Sequence, residues 1–153
     1  MIFTPNDLRQ FLAVCKAEIA AINYVLPVID DSQMANDVSN VKKSQNLLLY
    51  GVLPDYGGGS GEEDALMMDN GLDFLVLKKV QYNDITHDDF IDVMQETLMA
   101  ARELVKLVYT EKNNPNTCSQ FYFLKEGTEQ ITPVWAKAGC NGYMVSFNLH
   151  TEL

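Results

Sequence analysis

From Thr86 to Val108 the chain reads "THDDFIDVMQETLMAARELVKLV", and no other stretch limits the fold as tightly. Thr86 is a helix N-cap residue, and Asp88 and Asp89 place negative charge in the first turn, where the helix dipole favours it. Phe90, Val93, Met94, Thr97, Leu98, Ala101, Leu104, Val105 and Val108 recur at three- and four-residue spacing, a stripe that continues for about six turns. A long amphipathic helix is predicted, ending before Asn113-Asn114-Pro115. Its stripe requires an apolar surface of comparable length.

The strands that could supply this surface flank the helix. Gln45 to Val52 and Leu72 to Val80 read as buried strands. Beyond the helix come Ser119 to Lys125, a turn at Glu126-Gly127-Thr128 and Ile131 to Lys137, which with the last segment make two or three further strands. After Gly139-Cys140-Asn141-Gly142, Tyr143, Val145, Phe147 and Leu149 alternate with Met144, Ser146, Asn148 and His150, the period of a strand buried on one face. Near the start, Thr4, Pro5 and Asp7 form a second helix signal. Leu8, Phe11, Leu12, Cys15, Ile19 and Ile22 make its stripe, so a helix is expected from about Pro5 to Ala21. Tyr24 to Ile29 suits a short strand, but Pro27 cannot donate to a sheet ladder, so an edge strand or an extended segment is expected. Asp31 to Lys43 carries only Met34, Val38 and Val41 at helical spacing and reads as a short helix or a loop. Helices and strands interleave without a regular βαβ rhythm. The expected fold is α+β, a mainly antiparallel sheet with the long and the N-terminal amphipathic helices on one face.

Between two of the strands lies "PDYGGGSGEED", with four glycines between Gly57 and Gly61. The chain has 153 residues, 47% of them hydrophobic, the material of one domain. Positions 1–153 are therefore read as one domain with a long glycine-rich acidic loop at about 53–71. A phosphate-binding loop would need a lysine and a hydroxyl after the glycines. Glu62, Glu63 and Asp64 stand there instead and would repel phosphate. Asp55, Asp69 and Asp73 add carboxylates, yet the order of a calcium loop is missing. The acids read as a solvated surface, and no metal or cofactor is expected.

Other chemistry is equally thin. His87 beside Asp88 and Asp89 could form a base with an orienting acid, but those acids are what a helix start favours in any case. His150 stands far off in sequence. Cys15, Cys118 and Cys140 have neither disulfide nor zinc spacing and read as packing residues or inert thiols. The aromatics Phe121, Tyr122, Phe123, Trp135, Tyr143 and Phe147 are divided between core and a protein interface. Twenty-one acidic against 11 basic residues give a net charge of −10, which disfavours binding to nucleic acid or anionic membrane. Neither a signal peptide nor an apolar run of membrane-spanning length is recognisable, so the expectation is a protein of a reducing cytoplasm.

The element order, with "FLVLKKVQYNDITHDDFIDVMQETLMAARELVKLV" and "VWAKAGCNGYMVSFNLHTEL", resembles the tail-completion proteins of long-tailed phages and prophages, in particular tail terminators. The likeness runs in broad pattern from Leu47 to the C-terminus. It implies a structural protein without catalytic residues, present in the host cytoplasm during assembly and then in the virion tail. Its partners would be further copies in a ring, often a hexamer, together with tail-tube and head-completion proteins. The segment Tyr56, Gly57, Gly58, Gly59, Ser60, Gly61, Glu62, Glu63, Asp64 and Asp69 would be the interaction loop, facing a DNA-conducting lumen or a neighbouring component. The alternative is a small acidic protein-binding module.

Overall fold

The computed structural model describes residues 2–42, 47–61, 66–116 and 119–153. It is an α+β fold. In chain order the elements are α1 (Pro5–Glu18), β1 (Ile22–Val28), α2 (Asp31–Asn40), β2 (Leu47–Val52), β3 (Asp55–Ser60), β4 (Met67–Lys79), α3 (His87–Asn113), β5 (Gln130–Lys137) and β6 (Cys140–Glu152).

Both long helices start as their sequences dictate. The Thr4 hydroxyl accepts from the Asp7 amide at 3.2 Å while the Asp7 carboxylate accepts from the Thr4 amide at 2.7 Å, and Thr86 with Asp89 repeats the arrangement at 3.2 and 2.9 Å. Helix α1 ends at Glu18 rather than Ala21, because the Ile19 amide closes the last turn on Cys15 and the chain then turns into β1. Ile22 is still buried, but on the strand. On α3, Val93, Thr97, Ala100, Ala101, Leu104 and Val108 are buried. Phe90 is only half-buried and lies against the His87 ring, so the inward stripe begins one turn later than the spacing suggests.

Among the described residues six strands form one sheet in the order β1-β2-β4-β6-β5, and β3 pairs with β4. The pairing of β1 with β2 is parallel and every other pairing is antiparallel. Strand β1 is an edge strand, as Pro27 requires. On one side of β4, β2 occupies Phe74 to Leu77 and β3 occupies Met67 to Gly71; β6 runs along the whole of the other side.

Alternation sorts the side chains into two cores. Leu47, Leu49, Phe74, Val76, Val145, Phe147 and Leu149 pack with α1 and α3. Leu48, Tyr50, Leu75 and Leu77 point the other way and meet Met34 and Val38 of α2. This second cover explains why β2 reads as an unbroken apolar run: both of its faces are buried. Helix α2 is short, buries only Met34 and Val38, and is further secured by tertiary hydrogen bonds. The Asp37 carboxylate accepts from Tyr24 Oη at 2.8 Å and from Tyr50 Oη at 2.8 Å. Lys79 Nζ donates to the carbonyls of Val38 and Val41 at 2.8 and 3.0 Å, satisfying groups that a helix end leaves open.

Removal of that carboxylate is expected to be costly. In Asp37→Ala the fully buried Tyr50 hydroxyl loses its acceptor, a loss of about 1–3 kcal/mol measurable by urea denaturation. Burial, and then the hydrogen bond to Asp37, raise the Tyr24 pKa to about 12, and the same causes push Tyr50 in the same direction. Because the folded values lie above the unfolded value of about 10, this stability is complete below that pH. It is lost as pH rises through the folded values, so the parent's advantage over Asp37→Ala should shrink between about pH 10 and 12.

Three further expectations are corrected. The glycine-rich segment expected as a loop at about 53–71 is largely a hairpin: Asp55 to Ser60 form β3 and β4 begins at Met67, five residues before Leu72. Glycine disfavours a strand, but β4 supplies a ladder and β3 buries no side chain, so the missing side chains cost it no packing. Ser119 to Lys125, which left the expected count at two or three strands, contains a 3₁₀ turn at Gln120–Phe123, capped by the Ser119 hydroxyl. Phe121 and Leu124 are its buried residues, a spacing of three rather than two. Tyr143 is half-buried although Val145, Phe147 and Leu149 of the same alternation are buried. Gln45 and Asn46, expected to open β2, lie outside the described residues.

Candidate interaction surfaces

The sheet divides lengthwise. Its upper half, toward Lys79 and Cys140, is apolar on both faces and covered by helices. In the lower half the face shared with α2 becomes polar. Cross-strand register puts Asp55 opposite Gly71, Asp69 opposite His150, Asp73 opposite Ser146 and Met67 opposite Glu152, all on this face. His150 Nδ1 lies 2.7 Å from Asp69 Oδ1, and Ser146 Oγ donates to Asp73 Oδ1 at 2.5 Å. These side chains stay partly open to solvent. Four carboxylates and one histidine thus form an acidic field beside the β3–β4 hairpin.

The predicted interaction residues fall on this hairpin. Tyr56 is 41% exposed and its hydroxyl donates to the Phe3 carbonyl at 2.7 Å, tying β3 to the chain entering α1. Gly57, Gly58, Gly59 and Ser60 are exposed in β3, and Gly61 follows it. Gly58 has φ 66° beside the Asp69 carboxylate, a backbone region that glycine enters without strain. Asp69 lies on β4 opposite Gly57. Glu62, Glu63 and Asp64 lie outside the described residues. Apart from them the set is gathered on one hairpin.

His150 was the partner that sequence could not assign, since 81 positions separate it from Asp69. A histidine oriented by a carboxylate can serve as a base when a nucleophile lies within reach. Ser146, on the same face, is four strand positions away, roughly 13 Å by strand rise, and its hydroxyl is engaged by Asp73. The Asp69–His150 pair therefore links β4 and β6, and Ser146 is not its nucleophile. His87 is exposed and stacks on Phe90, while Asp89 is held in the cap, its pKa lowered by Thr86. Burial raises the Cys15 thiol pKa strongly and that of Cys140 to about 11, so neither is a thiolate at neutral pH. Cys118 lies outside the described residues. Among the described residues no three histidine, cysteine or acidic side chains converge on a metal-sized space.

Two exposed aromatics lie elsewhere on the molecule. Trp135 on β5 and Tyr122 in the 3₁₀ turn are each 71% exposed, whereas Phe121 and Phe147 are core. Alternation predicted that the aromatics would be divided; which ones face outward depended on β5 being the last strand of the sheet. No helix among the described residues is long and apolar enough to cross a membrane. No protein-family model matches this sequence, and a search of curated proteins finds no match.

Proposed function

We propose that this chain is a structural assembly protein of a phage or prophage tail, a tail-terminator-like subunit that forms a ring, caps the tail tube and presents a surface to head-completion proteins. The observation that carries this reading is the acidic lower face, where Asp55, Asp69, Asp73 and Glu152 stand beside the exposed β3–β4 hairpin. A lumen lined by such a face would repel DNA and let it pass, whereas a basic face would retain it. In this reading the protein works in the host cytoplasm during assembly and remains in the virion tail.

Light scattering and electron microscopy of the pure protein, alone and with tail-tube protein, test the proposal. The expected result is ring-sized particles and tubes that stop growing with one end capped. A protein that stays monomeric and leaves tube polymerisation unchanged would sink it. Replacing Asp55 and Asp73 together by lysine should leave the ring intact but introduce DNA retention that weakens with salt, measurable by electrophoretic retardation.

A further inference from the structure

The β5–β6 hairpin holds a tryptophan out of the molecule by specific means. The ladder shifts register between Val134 and Lys137, so Trp135 and Ala136 lie in a bulge, a device that re-aims side chains. Ala136 and Ala138 have φ of 55° and 52°, a region that non-glycine residues seldom enter. A fully buried Asn141 braces the bulge, its Oδ1 accepting from the Ala136 amide at 2.9 Å and from Tyr82 Oη at 2.8 Å. Tyr82 in turn meets the indole edge-on, with ring centroids 6.3 Å apart. A polar network and an unusual backbone thus present an indole that remains 71% exposed.

On a different part of the molecule, the end of α1 and the middle of α3 enclose a groove of about 530 Å³. Its apolar surface comes from Ile19, Ala20, Met99 and Ala100, and its rim from Glu18, Glu96 and Glu103. The alanines leave space for a ring, and methionine makes favourable contacts with aromatics. Every polar side chain on the rim is a hydrogen-bond acceptor, which complements an indole whose N–H needs an acceptor once buried. Glu96 is paired with Lys78 and Glu103 with Lys106, so Glu18 is the rim carboxylate without an ion pair among the described residues. Lys137, two residues beyond Trp135, brings a cation that is paired with the exposed Asp31 carboxylate.

We infer that Trp135 of one copy seats in the α1–α3 groove of the next. This rests on the assembly reading above and specifies its subunit contact. Because the indole and the groove are different surfaces, the contact is head-to-tail, the kind that closes into a ring when the rotation permits.

Trp135 is the chain's one tryptophan, so its fluorescence reports the contact in the unmodified protein. As concentration rises through the assembly range seen by sedimentation, its emission should move to shorter wavelength and acrylamide quenching should fall several-fold. Trp135→Ala and, separately, Ala20→Glu should each raise the concentration for half-assembly at least tenfold, with unchanged circular dichroism. Mixing these two variants should restore dimers but not rings, since each pair retains one intact indole and one intact groove. Rings in which the tryptophan stays exposed, or in which Ala20→Glu has no effect, would overturn this inference alone. A chain that remains monomeric would overturn it together with the assembly reading.

Discussion

Gly142→Ala is expected to destabilise the protein by about 3 kcal/mol or more, among the largest effects of a single substitution. A Cβ at this position would lie 2.0 Å from the Val76 carbonyl oxygen and 3.0 Å from Leu77 Cα. Both neighbours are backbone atoms of β4, so no rotamer change relieves the overlap. The strands must separate where β4 and β6 form the longest pairing of the sheet, from Met67–Glu152 to Lys79–Cys140. Total stability of a domain is only about 5–15 kcal/mol, so a thermal midpoint lowered by roughly 6–12 °C is expected. A variant within 1 kcal/mol of the parent in urea denaturation would mean that the two strands are not in this close approach.

Leu104→Ala should cost about 2–5 kcal/mol, the range for a large-to-small change in a packed core. Leu104 is fully buried and belongs to the core that also holds Phe121, Phe147 and residues of α1. Phe90→Ala on the same helix should cost clearly less, about 1 kcal/mol, because that ring is half-buried. The contrast matters more than either value. Equal losses at both positions would show that the helix is rotated from the phase in which Val93, Thr97, Leu104 and Val108 face the sheet.

The elements most legible in sequence were those whose signals are local. Thr4-Pro5-Asp7 and Thr86-Asp89 carry their own capping groups, and the α3 stripe repeats often enough that its half-buried members, Phe90, Met94, Leu98 and Val105, do not obscure it. Pro27 placed β1 at an edge for a reason internal to the residue, its missing amide proton. Helix α2 was ambiguous because its stability comes from Asp37 meeting two distant tyrosines and from Lys79 on β4. The candidate surfaces were legible in part. The acidic, glycine-rich character of residues 55–61 is evident in sequence, but their pairing with β4, and the meeting of Asp69 with His150, required the sheet register.

Sequence alone therefore determined the helix starts, the apolar stripes, the edge position of β1 and the strong negative charge, because each depends on neighbouring residues or on composition. Tertiary structure decided that the glycine run is a strand, that Gly142 must lack a side chain and that Trp135 points into solvent. Each of these depends on which backbone lies alongside, and strand neighbours distant in sequence leave no periodic mark on either segment.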